Sequence, residues 1–257
     1  MVNVTQPTKN QKQEAQEVKR NSTFSSQTEM LEALGKTDEP AVFCAAIANM
    51  DLEHDLTHVK EVDILQSTNE EAYKKATTYL EKQISFTENG GDGRHYAFIH
   101  TKTPYEVTEF SAKKAKDELT IEDIAKPDNG HALVTFPIQK FEGNPDPYHQ
   151  VYLNRKNLTE CALVDAGRSG GKQTGHCNDL VNKVKDSISD SQDSSRPKKV
   201  VVIASDSLRQ SSSYTFFPDS PKNNPKNQLP PPPVQETNEQ SAENQREESY
   251  RKFGSWW

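Results

Sequence analysis

Residues 160–189 read ECALVDAGRSGGKQTGHCNDLVNKVKDSIS, and this stretch carries most of the evidence for the fold class. Glu160 to Asp165 holds the run Cys161-Ala162-Leu163-Val164, short and apolar as a buried strand is. A glycine-rich stretch from Ala166 to Gly175 follows. Cys177–Ser189 then places Leu180, Val181, Val184 and Ile188 on one face at helical spacing. Strand, loop and helix follow one another within thirty residues.

Both periods recur outward from this junction. Upstream, His131–Lys140 and Gln150–Asn154 read as strands, and His95–Thr101 alternates like a third. Downstream, Lys198–Ala204 contains Val200-Val201-Val202-Ile203 and reads as a buried strand, with Tyr214–Phe217 as an edge strand. Gln27–Lys36 predicts a short helix. Asp38 is placed to cap a second, with Pro40 in its first turn and Ala41–Met50 inside it. Asn69–Ser85 predicts the longest helix, with acidic Glu70 and Glu71 at its positive end. Gly90-Gly91-Asp92-Gly93 breaks the chain after it. Strands and helices do not alternate cleanly. The expected class is therefore α+β, a single mixed domain with a small central sheet and flanking helices.

Composition limits how much of the chain that domain fills. Of 257 residues only 32% are hydrophobic, and 27% are charged. Adding the 11 glycines brings the apolar fraction to about 36%, against roughly 45–50% in ordinary soluble domains. The shortage lies at the ends. Residues 1–26 have no apolar run, and 218–257 open with Pro218, Pro221, Pro225 and Pro230-Pro231-Pro232-Pro233 before a Glu/Gln/Asn-rich stretch. Four consecutive prolines favour extended polyproline II. The expected organisation is disordered 1–26, an α+β domain over 27–217, and a disordered Pro- and Glu-rich tail over 218–257.

The net charge of −7 carries no basic stripe to neutralise phosphates, so nucleic acid is not an expected partner. No stretch approaches the ~20 apolar residues of a membrane span. Residues 1–19 lack the apolar centre of a Sec signal peptide, and Met1-Val2 lacks the glycine of a myristoylation site. Cys44, Cys161 and Cys177 are odd in number, with no C-x-x-C pair. They form neither a disulfide framework nor a zinc ribbon, and reduced thiols in a cytosol-like compartment are expected.

The densest polar chemistry lies between Asp165 and Cys177. A thiol in the first turn of a helix feels the positive end of the dipole and becomes more acidic. Gln173 is able to donate an amide N–H to an oxyanion, Asp165 to orient an imidazole, and His131, heading its strand, to act as base. Cys177, His131, Asp165 and Gln173 thus form a candidate acyl-transfer set. The alternative is that Cys177 is a small buried hydrophobe. Cys44 is an alternative nucleophile, although within Val42–Ile47 it reads as a buried residue past the first helical turn, with no upstream glutamine. His149, at a strand start, reads as an ordinary surface residue.

His131-Ala132-Leu133-Val134 and Leu163-Val164-Asp165 resemble the histidine and aspartate strands of papain-like cysteine peptidases. The order His131, Asp165, Gln173, Cys177 is similar to that of ubiquitin-like proteases and acetyltransferase effectors; the papain order would be Cys44, His131, Asp165. Either resemblance implies cysteine-dependent hydrolysis or acyl transfer on a protein substrate.

The same glycine-rich loop admits an anion-binding reading. Gly167, Gly171 and Lys172 approximate a phosphate-binding loop, but the outer glycines are one residue too close and Gln173 stands where Ser or Thr belongs. A looser anion or nucleotide site would use the N–H groups of Gly170, Gly171 and Gly175 with Arg168 and Lys172. His54 and His58 stand four apart, as zinc ligands on a helix do, but Asp55 replaces the glutamate of the metalloprotease pattern and a solvated helix face accounts for them equally. No metal and no cofactor is assigned.

Glu236, Glu239, Glu243, Glu247 and Glu248 recur near the C-terminus in a Gln/Asn/Ser background. This arrangement resembles the glutamate-rich signal of effectors translocated by Legionella-type type IV secretion systems, which implies delivery into a host cell without a cleaved leader. Pro230–Pro233 offers an SH3- or WW-type ligand. Three functions stay open from sequence: a cysteine-dependent hydrolase or acyltransferase acting on protein, a non-enzymatic protein-binding module, and an anion- or nucleotide-binding domain.

Overall fold

The structure, a computed structural model, describes residues 24–39, 41–126, 130–139, 147–167, 171–190 and 198–206. The Tyr214–Phe217 strand, the tetraproline and the Glu-rich tail lie outside the described residues. Elements follow in the order α1 (Gln27–Ala33), α2 (Cys44–Thr57), α3 (Asn69–Glu88), α4 (Tyr96–His100), β1 (Tyr105–Ser111), α5 (Ala112–Glu118), α6 (Ile121–Ile124), β2 (Gly130–Pro137), β3 (Tyr148–Arg155), β4 (Glu160–Val164), β5 (Lys172–His176), α7 (Cys177–Ser187) and β6 (Lys199–Ser205). The α+β class holds.

Among the described residues six strands form one sheet in the order β1-β6-β2-β3-β4-β5, and every neighbouring pair is antiparallel. Helices cover both faces, which explains why the central strands are apolar without interruption. Leu133, Tyr152, Val164, Val201 and Ile203 join the core beneath α1–α4. Their neighbours Val134, Val151, Leu153, Leu163 and Val202 point the other way, into the core under α5–α7. The period-2 geometry of a strand thus feeds two cores from one sequence.

Helix α2 lies at the centre of the first core, with every residue from Ala45 to Glu53 buried. A helix apolar around most of its circumference belongs inside a protein. It begins later than the Asp38/Pro40 signal predicts. Its N-cap is Phe43, which makes no side-chain cap bond; instead the Phe43 N–H donates to Gln27 Oε1 from α1 at 3.0 Å. Cys44 is therefore the first helical residue, not one beyond the first turn. Helix α3 starts at Asn69 as predicted and is capped by a Thr68–Glu71 capping box. Its buried stripe includes Ala72, Ala76 and Leu80. Leu80→Ala is expected to cost about 2–5 kcal/mol and Thr68→Ala only about 1 kcal/mol, read from urea unfolding midpoints. Equal losses would show that capping, not packing, holds α3.

Three local readings change. His95–Thr101 is helical rather than a strand, because Asp92 caps the preceding 3-10 turn and the Ala97 N–H is taken by Asn49 Oδ1. Lys172–His176, read as loop, is the edge strand β5. The described residues include Phe24, which is buried and donates its N–H to the Ser67 carbonyl.

Candidate functional site

The first residue of α2 meets the starts of β3 and of the loop after β4. Cys44 is half-buried, and its thiol lies beside the imidazole of His149 from β3, close enough for each to shift the acidity of the other. On the other side of the ring, His149 Nε2 is 2.7 Å from Asp165 Oδ1, which leaves Nδ1 as the nitrogen for the thiol. Asp165 follows β4 directly, is itself buried, and also accepts the Gly167 N–H at 2.9 Å. A Cβ at Gly167 would stand 3.2 Å from His149 Cε1, so the loop approaches the ring as closely as a residue without a side chain allows. Phe136, the cross-strand partner of His149, meets the ring edge-on at 5.6 Å between centroids.

Charge in this trio follows from its contacts. Burial works against a protonated His149, but the hydrogen bond to Asp165 and the interactions with Cys44 outweigh it and push the ring up to about 10. Burial likewise works against a Cys44 thiolate. The His149 hydrogen bond and charge, then the backbone N–H groups of Gln150 and Ala45, bring the thiol below its ordinary value. The start of α2 adds its dipole to the same effect. The Cys44 N–H, in the first helical turn, has no intrahelical acceptor. The Gln27 side chain is fixed beside it through Phe43, and the Gln27 N–H is tied to the Ala166 carbonyl at 2.8 Å. One short helix thus touches both the thiol's helix and the aspartate's loop.

Of the sequence-predicted set, Asp165 is in this trio, and so is the alternative nucleophile Cys44. The pairing of His131 with Cys177 is corrected. Cys177 does open helix α7, but its sulfur is bonded to Cys161 in a disulfide, with the Cα atoms 4.8 Å apart. A disulfide sulfur has no thiolate to attack with. The pair lies buried in the core on the α7 face. The disulfide also corrects the expectation of three reduced thiols. His131 lies on the α2 face of the sheet, where its Nδ1 donates to Tyr152 Oη at 2.7 Å and Tyr152 donates to Asp55 Oδ2 at 2.7 Å. Burial lowers the His131 pKa, opposed by Asp55. Gln173 accepts from Lys183 Nζ and faces no cysteine thiol.

The anion loop is redrawn in the same way. Lys172 and Gly175 belong to β5, and Gly175 pairs with Cys161, so their backbone serves the sheet rather than a cradle. Gly171 precedes the strand at positive φ, with Phe24 and Leu65 against it. Arg168 and Gly170 lie outside the described residues. His58 terminates α2 in the left-handed conformation and leaves the helix face that His54 occupies; His54 instead lies 3.4 Å from Asp55 and 3.8 Å from Asp63. Among the described residues no group of three metal-ligating side chains converges, and no helix is long and apolar enough to cross a membrane.

His149 is the residue that sequence reasoning missed. Its signal was faint: a histidine at a strand start, sixteen residues before an aspartate that ends the next strand. Those two positions are adjacent only once β3 and β4 pair.

No protein-family model matches this chain, and no curated protein does. Among solved structures, it is similar to the Pseudomonas avirulence protein AvrPphB, at 10% identity over 72% of this chain and 97% of that one, with a TM-score of 0.39.

Proposed function

We propose that this protein is a cysteine-dependent hydrolase or acyltransferase in which Cys44 is the nucleophile, His149 the acid–base and Asp165 its orienting partner. The observation that carries the reading is the Cys44 thiol at the first residue of α2, beside an imidazole that Asp165 grips from behind. The thiolate attacks a carbonyl carbon of the substrate and forms a thioester. The imidazolium gives its proton to the leaving group. Neutral His149 then takes a proton from water, or from an acceptor nucleophile, which attacks the thioester and releases Cys44. The negative oxygen formed at each attack meets the Cys44 N–H and the side-chain amide of Gln27, the role first assigned to Gln173. A protein substrate fits the acyl chemistry, and the Glu-rich C-terminal stretch would be the address that delivers the enzyme to it.

The first test is alkylation at neutral pH followed by peptide mapping. Iodoacetamide is expected to modify Cys44 in the folded protein faster than it modifies free cysteine. Labelling of Cys44 at or below the free-cysteine rate overturns the assignment.

A further inference from the structure

Two buried side-chain amides stand directly behind this site. Asn49, one turn after Ala45 on α2, is fully buried, and Gln150, the residue after His149 on β3, is 1% exposed. Asn49 Nδ2 donates to Gln150 Oε1 at 3.0 Å, to the Ala45 carbonyl at 3.0 Å and to the Arg94 carbonyl at 3.3 Å. Its Oδ1 accepts the Ala97 N–H at 2.9 Å. Gln150 Nε2 donates to the Arg94 carbonyl at 2.9 Å and to Thr135 Oγ1 at 2.8 Å. The pair therefore joins α2, the turn before α4, β2 and β3 at one point on the α2 face of the sheet. Its ends sit next to the reacting groups: Ala45 follows Cys44, Gln150 follows His149, and the Gln150 backbone N–H is among the groups that make the Cys44 thiol more acidic.

We propose that the Asn49–Gln150 amide pair is the positioning element of the Cys44 site, fixing the start of α2 against the start of β3 so that sulfur, imidazole and the Gln150 N–H stay in register. This rests on the Cys44–His149 reading above. Packing alone does not need the pair. A buried polar network is matched in stability by well-packed apolar side chains of similar volume, but those impose no comparable orientation. Amide hydrogen bonds hold their partners to a few tenths of an ångström and to a direction. That is the tolerance on which a thiolate–imidazolium pair depends. The titratable side chain against Cys44 is His149 from β3, with Asp165 behind it. Arg94 enters through its carbonyl, while its guanidinium is held by Asp92.

The experiment is the pH profile of Cys44 alkylation by iodoacetamide in the full chain. It compares Asn49→Leu, Gln150→Met and Thr135→Val with wild type and with Val151→Ala. The last loosens the same strand from its other face. The midpoint is expected to move upward by about one pH unit in Asn49→Leu and Gln150→Met, as loss of a hydrogen bond to a charged group implies. A smaller shift in the same direction is expected in Thr135→Val, and none in Val151→Ala. Thr135→Val keeps its side-chain shape and supplies the same reading if Gln150→Met does not fold. Unmoved midpoints in the amide variants overturn the proposal, and so does a shift in Val151→Ala as large as theirs. A wild-type midpoint no lower than that of free cysteine sinks the underlying Cys44–His149 reading instead, which separates the two failures.

Discussion

His149→Ala is expected to slow iodoacetamide alkylation of Cys44 at pH 7 by at least about 10-fold, because burial then acts on the thiol without an opposing charge. In wild type the two shifts point in opposite directions and open a window. Cys44 is lowered from 9.0, so the thiolate forms at lower pH than in an isolated cysteine. His149 is raised to about 10, so the imidazolium persists well above its ordinary range. Between the two, thiolate and imidazolium coexist. Turnover should rise with pH through the lowered Cys44 value and fall again near 10 as the ring loses its proton. Asp165→Asn removes the charge that holds the ring up. The alkaline limb should move down, the acid limb up, and the window should narrow from both sides. Turnover at its optimum should fall by about 10²–10⁴-fold. An Asp165→Asn profile that superimposes on wild type would remove Asp165 from the machinery.

The second large effect concerns stability. Cys161→Ala/Cys177→Ala is expected to lose about 3 kcal/mol, the value of a cross-link closing a loop of this length. The bridge joins β4 to the first residue of α7, sixteen positions on, with β5 enclosed between them. Without it, β5 holds mainly by backbone pairing to β4 and by the Lys183–Gln173 hydrogen bond to α7, since its residues are polar and exposed or half-buried. Urea unfolding with and without reductant reads the loss, and reductant should leave the double variant unchanged. A thiol count in the folded, unreduced protein should find one reactive group, Cys44. Three would show that the bridge does not form. The double variant should keep its Cys44 alkylation profile, which separates the structural pair from the nucleophile.

The legibility of the fold follows burial. β2, β4 and β6 are apolar runs covered on both faces, so their residues announce them. Helix α3 announces itself through its stripe and its acidic first turn. Edges are quieter. β5, Lys172-Gln-Thr-Gly-His176, has no apolar residue, and β1 puts Val107 half out of the protein while Glu106 and Glu109 take lysine partners. Neither carries the signal of a buried face. His95–Thr101 alternates over too few residues to distinguish a strand from a helical turn, and Asn49, forty-eight residues away in sequence, decides it.

The site was half legible for the same reason. Asp165 stood out as a chemistry-bearing residue at a strand end, whereas Cys44 was only an alternative, read as buried past the first helical turn. Whether Cys44 began a helix or lay inside one depended on a hydrogen bond from Phe43 to Gln27, which no local pattern encodes. Cys177 does begin its helix, as its sequence implies, yet Cys161 on the neighbouring strand β4 takes its sulfur. Local propensity placed the thiols, and tertiary contacts chose between them.

The tie from α1 to both Phe43 and Ala166 has a consequence for biosynthesis. The thiol leaves the ribosome about 120 residues before the aspartate that completes its site, an interval of roughly 6–24 s at 5–20 residues per second. Through that interval Cys44 is an unpartnered thiol on an unfinished chain, and Cys161 emerges before Asp165 does. A bridge between Cys44 and Cys161 would consume the proposed nucleophile and leave Cys177 alone. Docking of α1 and α2 on the sheet puts Cys44 on one face and Cys161 on the other, so completion of the fold both creates the reactive thiol and quarantines it from its two rivals.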